Sequence, residues 1–166
     1  MRDDEARSAE YRRAIARFAT GVAIVTTRGD GVDVAMTVNS LTSVSLSPTL
    51  VLFSADKAAR FHDAVLAAGR WAVSILSSAD EPASRWFATR GRRDEARLGG
   101  HPSQPGPVTG LPLFPGAIAS LECRTWNTVD AGDHTVILGE VLAAAAPPDR
   151  PSPLLYFESR YRILPD

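Results

Sequence analysis

Runs of β-branched and aromatic residues, separated by turn residues, occupy most of the chain. We predict strands for the runs GVAIVTT, VDVAMTV, TLVLFSA and WAVSIL. Asp30-Gly31 lies between the first two runs and is a strong signal for a tight hairpin turn. A second strand pair is predicted for GAIASLECRTWNTVD and HTVILGEVLAAAA around the turn AGD, and a short closing strand for LLYF.

Three segments show helical spacing instead. Near the start of the chain, Tyr11, Ile15 and Phe18 fall at i, i+4 and i+7, which predicts a helix from about Asp4 to Arg17 with that face turned inward. The second helix is predicted for KAARFHDAVLAAG and ends at Gly69. The third is predicted for SADEPASRWFATR, which has a Ser/Asp start and a proline in its first turn.

The order of these elements indicates the fold class. Strands outnumber helices, and the regular βαβ alternation of a doubly wound parallel sheet is missing. From Gly91 to Gly116 the chain is rich in Gly, Pro and Arg, which predicts a long irregular loop on the surface. We therefore expect a mainly β protein, an antiparallel barrel with peripheral helices, formed as one domain by residues 1–166.

Composition and charge narrow the function classes. The apolar share of 45% and the charged share of 22% are those of an ordinary soluble protein. The net charge of −1, with scattered arginines, lacks the basic face that nucleic acids require. Apolar runs are too short to span a membrane, and the charged N-terminus lacks the features of a signal peptide, so we expect a cytoplasmic protein.

One polar stretch stands out between two apolar runs. Thr37 to Pro48 reads TVNSLTSVSLSP and contains six hydroxyl side chains and one amide. These groups either face solvent at a sheet edge or hydrogen-bond a polar ligand at a bent strand. Lys57, the only lysine, and Arg60 follow shortly at a predicted helix start. Hydroxyls, N–H groups and a cation in that arrangement suit a phosphate cradle, although a lysine at a helix start is also commonly solvated.

The chain resembles the flavin reductase-like proteins with an FMN-binding split barrel, which are the short-chain reductase components of two-component flavin monooxygenases. The matching segments run in the family's order across nearly the whole chain. They are RFATGVAIVTT, MTVNSLTSVSLSPTLVLFS, WAVSIL, WFA, LECR, GDHTVILGEV and PLLYF, with Tyr161 behind the last.

The resemblance implies a flavin site on two segments. Residues of the polar stretch would line the isoalloxazine edge and the ribityl chain, and the segment after the next strand would hold the phosphate. The chain departs from the family pattern at Ala58 and Ala59, where family members commonly have Ser, Thr or Asn. We therefore expect phosphate contacts from the remaining side chains and from main-chain N–H groups. The implied flavin contacts are Met36, Thr37, Val38, Asn39, Ser40, Ser43, Val44, Ser45, Ser54, Ala55, Lys57 and Arg60.

The resemblance also places a histidine near the second substrate. His134 in the Gly-Asp-His turn would orient the nicotinamide of NADH or NADPH, because hydride transfer depends on stacking and alignment. On spacing alone, a histidine after a Gly-Asp turn is more often a plain turn residue. Phe87, Tyr156 and Tyr161 would pack beside the flavin or the nicotinamide, or else form part of the core.

The remaining aromatic, histidine and cysteine residues are assigned to structural roles. We expect Trp71, Trp86 and Trp126 in packing contacts, His62 on a solvated helix face, and Cys123 as a small buried residue. The spacing of the histidines and the cysteine fits no metal site, so none is predicted.

Three functions remain open from the sequence. The first is an NAD(P)H:flavin oxidoreductase, a homodimer that transfers hydride to FMN or FAD and supplies reduced flavin to a separate monooxygenase. The second is a flavin-retaining oxidase that admits an organic substrate past the long loop. The third is a non-catalytic barrel that binds a small polar ligand.

Overall fold

A computed structural model describes residues 2–92, 96–148 and 151–164, and antiparallel β-structure dominates it. The helices are α1 Arg2–Ile15, α2 Arg60–Ala68 and α3 Glu81–Ala88, with short 3₁₀ helices at Ser78–Asp80 and Ala96–Gly100. The strands are β1 Thr20–Gly21, β2 Ala23–Gly29, β3 Val32–Val38, β4 Thr42–Leu46, β5 Thr49–Asp56, β6 Arg70–Ile75, β7 Gln104–Pro105, β8 Pro112–Leu113, β9 Ala119–Ala131, β10 His134–Ala145, β11 Leu155–Phe157 and β12 Arg160–Arg162.

A seven-stranded sheet, in the order β3-β2-β6-β9-β10-β5-β4, forms the main body. Its two edge strands follow each other in sequence, since only Asn39–Leu41 separates β3 from β4. A link of that length spans at most about 15 Å, so the sheet must curl until its edges lie close together. The remaining strands form a three-stranded sheet, β1-β11-β12, and the pair β7-β8.

The inner face of the curled sheet packs into the larger of two main apolar clusters. Phe53 and Trp71 are fully buried at its centre with ring centroids 4.8 Å apart, and Phe61 and Val65 of α2 close one side. Gly139 is required against Trp71, because a Cβ at that position would lie 2.2 Å from an indole carbon. Strands β2 and β3 pair antiparallel, and so do β9 and β10. The two predicted strand pairs and the antiparallel arrangement are confirmed.

The turn chemistry follows the sequence closely. Asp30 and Gly31 both have positive φ, 50° and 77°, as a tight hairpin turn between β2 and β3 requires. Gly69 ends α2 in the left-handed region with φ 62°, and Pro82 lies in the first turn of α3. The hairpin β11-β12 was not predicted, because its turn uses Glu158 and Ser159 at positive φ rather than glycine.

The N-terminal helix differs from the prediction in its packing. It ends at Ile15 rather than Arg17, and Tyr11, Ile15 and Phe18 are 64%, 49% and 69% exposed. The apolar face predicted to turn inward therefore has no cover from the described part of this chain. None of the helices in that part has the length and apolar composition needed to span a bilayer.

The loop from Gly91 to Gly116 is not simply a surface loop. Within its described residues, Leu98, Leu111, Leu113 and Phe114 are buried and join the apolar clusters. Burial of each of these side chains stabilises the folded state by roughly 1.5 to 3 kcal/mol. This gain offsets the conformational entropy that is lost when the loop becomes ordered. Residues 93–95 lie outside the described residues.

A buried carboxylate ties this loop to the main sheet. Glu122 of β9 is 2% exposed, and its carboxylate accepts the N–H groups of Val108 and Thr109 and the Thr109 hydroxyl at 2.5 to 3.2 Å. Gly106 passes so close that a Cβ there would lie 2.5 Å from Oε2. The hydrogen bonds to the Glu122 carboxylate compensate the free-energy cost of removing this charge from water.

We expect Glu122→Ala to lower the free energy of unfolding by about 3 kcal/mol, because it leaves several loop donors without an acceptor. Glu122→Gln keeps the shape and one acceptor oxygen and should cost about 1 to 2 kcal/mol. Urea unfolding of both variants measures this order. Glu140→Gln, which breaks the part-exposed ion pair with Arg124, is the control and should cost less than about 1 kcal/mol. Equal losses at positions 122 and 140 would contradict the prediction.

Candidate functional site

A groove of about 510 Å³ opens between two walls of the fold. One wall is β3 with its exit residues and the end of α3, and the other is the end of β5 with the start of α2. Its volume lies in the range of small-molecule sites, about 300 to 1,000 Å³. The lining residues are Val34, Ala35, Met36, Thr37, Val38, Asn39, Ser40, Ser54, Asp56, Ala58, Ala59, Arg60, Phe61, Phe87, Ala88, Thr89, Arg90, Gly91, Arg92 and His134.

The polar stretch divides its hydroxyls between the groove and the backbone. The Thr37 hydroxyl donates to the Ser84 carbonyl at 2.7 Å, which fixes β3 against α3. The Ser40 hydroxyl oxygen accepts the Ser54 N–H at 3.0 Å and so joins the exit of β3 to β5. Ser45 accepts a backbone N–H within its own hairpin. The solvent-edge interpretation thus holds for Thr42 and Ser43, which are exposed on β4, whereas Thr37 and Ser40 lie in the groove wall, where the ligand interpretation remains a prediction.

The predicted bend in this stretch is confirmed. Strand β3 ends at Val38 and β4 begins at Thr42, and the pairing of β4 with β5 shifts register between Ser43 and Ser45. A register shift of this kind changes the direction of the side chains that follow it. Asn39 and Ser40 lie before this shift, in the bent link between the two strands, and form part of the groove wall.

The start of α2 brings N–H groups and positive charge to the opposite wall. Its N-cap residue is Ala59, whose side chain cannot accept a hydrogen bond from the first turn. The N–H of Ala58 is bound by Asp56 at 2.9 Å. Because the N-terminus of a helix carries a partial positive charge, Arg60 and the first-turn N–H groups favour an anion here.

Arginines outnumber carboxylates in the lining. Arg60, Arg90 and Arg92 contribute positive charge, and Asp56, which forms an ion pair with Arg90, is the carboxylate among the described lining residues. Arg92 donates to the Ala35 carbonyl at 2.9 Å and lies 4.9 Å over the Trp86 ring. It thereby holds the end of α3 against β3 while adding charge to the groove.

His134 reaches the groove from the turn between β9 and β10. Gly132 takes φ 68° at the first position of this two-residue turn, as a tight hairpin needs. The His134 Nδ1 lies 2.7 Å from the Asp133 carboxylate, and this contact lowers the pKa of Asp133. With Nδ1 bound to the carboxylate, Nε2 is the ring nitrogen left to meet a ligand.

The structure brings together more than half of the residues predicted for the site. Those in the groove wall are Met36, Thr37, Val38, Asn39, Ser40, Ser54, Arg60, Phe87 and His134. The others lie outside the lining in this chain, namely Ser43, Val44, Ser45, Ala55, Lys57, Tyr156 and Tyr161.

Physical reasons separate that second group from the groove. Ala55 is fully buried on the inner face of β5, one residue out of phase with Ser54. Ser43 and Val44 are exposed on the edge strand β4. Tyr156 and Tyr161 pack edge to face at 5.5 Å against the second apolar cluster, where Tyr161 also hydrogen-bonds Ser84.

Three structural assignments also have a clear outcome. Cys123 is fully buried, and burial together with the neighbouring Glu122 raises its thiol pKa to about 12. His62 was wrongly assigned to solvent, because it is 9% exposed and its Nε2 lies 2.9 Å from the Thr135 hydroxyl. Trp126 was wrongly assigned to packing and is 55% exposed.

Some lining residues were missed by the sequence reasoning. Asp56, Thr89, Arg90 and Arg92 lie in the groove wall, but Asp56 ends β5 and the other three follow the end of α3, and none of them belongs to a motif. The available signal was the set of arginines around the end of the predicted third helix, where Arg90 was assigned to the helix and Arg92 to the long loop.

Comparison with known proteins agrees with this geometry. The model of the flavin reductase like domain matches residues 15–165. The chain is 41% identical to FMN reductase (NADH) SmoA of Agrobacterium fabrum over 147 residues, 83% of this chain and 76% of that protein. It is 40% identical to the NADH-dependent FAD reductase of Streptomyces globisporus over 159 residues, 92% of this chain and 84% of that protein.

A solved structure shows the same likeness in three dimensions. The styrene monooxygenase flavin reductase from Pseudomonas putida S12 superposes with a TM-score of 0.80 at 36% identity, covering 93% of this chain and 97% of that one. The match of the family model over nearly the whole chain, with relatives well above 30% identity, shows that this protein belongs to the flavin reductase-like family.

Proposed function

We propose that this protein is an NADH-dependent flavin reductase that transfers hydride to FMN or FAD and supplies the reduced flavin to a separate monooxygenase. The observation that carries the proposal is the groove itself, which combines a polar wall, a cationic helix start and His134. The names of the relatives support both cofactors, since one is an FMN reductase and another an FAD reductase. The styrene monooxygenase flavin reductase supports the monooxygenase partner.

The groove fits a flavin in its donor set. The amide of Asn39 and the hydroxyl of Ser40 can bond the polar edge of an isoalloxazine ring, and apolar Val34 and Met36 can cover its face. At the opposite end, the uncapped first turn of α2 and Arg60 match a phosphate. When bound, the flavin supplies the acceptor for the hydride of the nicotinamide.

Each wall then has a separate task. Residues of β3 and its exit would orient the ring, and Thr37 supports them by holding β3 on α3. Arg60 and the α2 N–H groups would bind the phosphate. His134 would align the nicotinamide through Nε2, while Asp133 fixes the orientation of the imidazole. This chain contributes positioning and charge compensation rather than an acid or base.

The phosphate end favours release of the flavin. Ala58 and Ala59 line the groove without a hydroxyl to donate, so the grip depends on backbone N–H groups and exposed cations. Contacts of that kind are screened by salt and solvent. A loosely held flavin suits a reductase whose product leaves for another enzyme.

We also propose that the curled sheet is a split barrel and that the protein is a homodimer with each groove near the interface. The outer face of β9, β10 and β5 carries several apolar side chains, although the inner face already packs into the core. Register pairs Val129 with Val136 and Leu138 with Leu52 on that face, and Trp126 is 55% exposed beside them. Such a patch suits a protein partner.

The position of this face supports an interface close to the groove. Val136 pairs with Ser54, which lines the groove, and His134 lies two residues earlier on the same face of β10. A second copy seated on the outer face would therefore stand at the edge of the groove.

An anaerobic reduction assay tests the reaction. Purified protein mixed with NADH and excess FMN or FAD should bleach the flavin absorbance, with turnover continuing over many equivalents of flavin. NADPH and riboflavin serve as comparison substrates, and heat-inactivated protein as the control. The absence of catalysed bleaching with every donor and acceptor pair would rule out the proposed function.

The variant His134→Ala should raise the KM for NADH by about tenfold, because the nicotinamide loses an aligning contact. The Kd for FMN, measured by fluorescence quenching, should stay within about twofold of the wild-type value. Asn127→Ala, on the same hairpin but outside the groove lining, is the matched control. A variant that loses FMN and NADH affinity equally would contradict the assigned role.

Charge placed on the outer face should disrupt the dimer. We expect Val129→Glu to shift wild-type dimers to monomers in size-exclusion chromatography with light scattering, because the carboxylate would be desolvated at the interface. Val32→Glu, in the β2-β3 hairpin, is a fitting control, since Val32 and Val129 are 48% and 49% exposed. A wild-type protein that is monomeric at all concentrations tested would refute the dimer proposal.

A further inference from the structure

The single lysine makes its contacts with one turn. Lys57 Nζ donates to the Asp130 carboxylate at 2.7 Å and to the Gly132 carbonyl at 2.8 Å. Its backbone N–H donates to the Asp133 carbonyl at 3.0 Å. Two of these hydrogen bonds therefore end on the turn between β9 and β10, which leads into His134, and the third ends on Asp130 near the end of β9.

These contacts direct the ammonium group away from the groove. Lys57 does not belong to the groove lining, whereas its neighbours Asp56 and Ala58 do. Its charge is engaged with Asp130, and this contact lowers the pKa of the Asp130 carboxyl. The N–H groups of the Lys57 ammonium thus bind a carboxylate and a carbonyl oxygen of the same chain. These oxygens take the places around Nζ that phosphate oxygens would need.

These contacts hold the turn beside the end of β5. The last rung between β10 and β5 pairs His134 with Asp56, and beyond it the turn residues extend past the end of β5. The backbone N–H of Lys57 bonds the Asp133 carbonyl one residue beyond this rung, and its side chain bonds Asp130 and Gly132. Lys57 therefore holds the turn against the end of β5. Asp133, in the middle of the turn, accepts the contact from His134 Nδ1, so a shift of the turn would rotate the ring.

We propose that Lys57 is a positioning residue for the nicotinamide, acting through the β9–β10 turn on His134, and not a ligand of the flavin phosphate. The inference rests on the proposed function and assigns Lys57 to the nicotinamide end of the site instead of the phosphate end. The two roles make different predictions, because riboflavin has no phosphate and NADH is used with either acceptor.

Steady-state kinetics of Lys57→Met separate the roles. We expect the KM for NADH to rise about fivefold with FMN and by the same factor with riboflavin as acceptor. The ratio of the Kd values for FMN and riboflavin should remain that of the wild type. Lys57→Arg, which keeps a cation able to reach the same turn, should restore most of the NADH affinity. A loss confined to FMN, with NADH unaffected, would overturn the proposal in favour of a phosphate ligand.

A double-mutant cycle tests whether Lys57 acts through His134. In the His134→Ala background, Lys57→Met should produce little further rise in the KM for NADH, because the aligned group is already missing. Independent, multiplicative effects of the two changes would contradict a path through the histidine. Unchanged melting temperatures would show that the effects do not arise from unfolding.

An NMR measurement keeps the inference separate from the reductase assignment. The imidazole resonances of His134 should shift or broaden in Lys57→Met, while those of His101, far along the chain, serve as an internal control. If the wild type fails to reduce flavin but the His134 signals respond, the proposed function falls and the mechanical coupling stands. If flavin is reduced normally and the His134 signals are unchanged, the positioning role is wrong.

Discussion

The short link between β3 and β4 is the constraint on which the site depends. Because Asn39–Leu41 must join the two edges of the sheet, the sheet curls and places the exit of β3 against β5. The hydrogen bond from the Ser54 N–H to the Ser40 hydroxyl oxygen closes this approach across 14 residues of chain. The two edge strands are not hydrogen-bonded to each other, and the groove lies beside this approach, between β3 and the end of β5 with the start of α2.

The same curl explains why the walls differ in chemistry. The β3 wall is made by a strand, so Val34 and Met36, two residues apart, share one face and present apolar side chains, and the exit residues Asn39 and Ser40 add polar groups. The opposite wall is made by a helix start, so it presents N–H groups and a partial positive charge. A flat, polar and partly apolar ligand with an anionic tail fits between two such walls better than a ligand of uniform polarity.

The features that the sequence predicted correctly are those that interactions between neighbouring residues determine. The hairpin at Asp30-Gly31, the glycine end of α2 and the bend after Val38 each follow from backbone preferences of a few residues. Family resemblance added the groove segments, since nine of the sixteen predicted site residues line the groove. The contact of Lys57 with Asp130 joins residues 73 apart and could not be read from either neighbourhood.

The remaining misjudged residues share a physical origin. Apolar periodicity predicts that a face will be covered, but it cannot say by which chain. Tyr11 and Phe18 of the N-terminal segment and Trp126 of β9 are exposed within one copy, whereas His62, a polar residue, is buried because Thr135 offers it a hydrogen-bond partner. The exposed residues belong to surfaces that the described part of one copy does not cover, whereas the His62–Thr135 contact joins α2 to β10 one residue after His134.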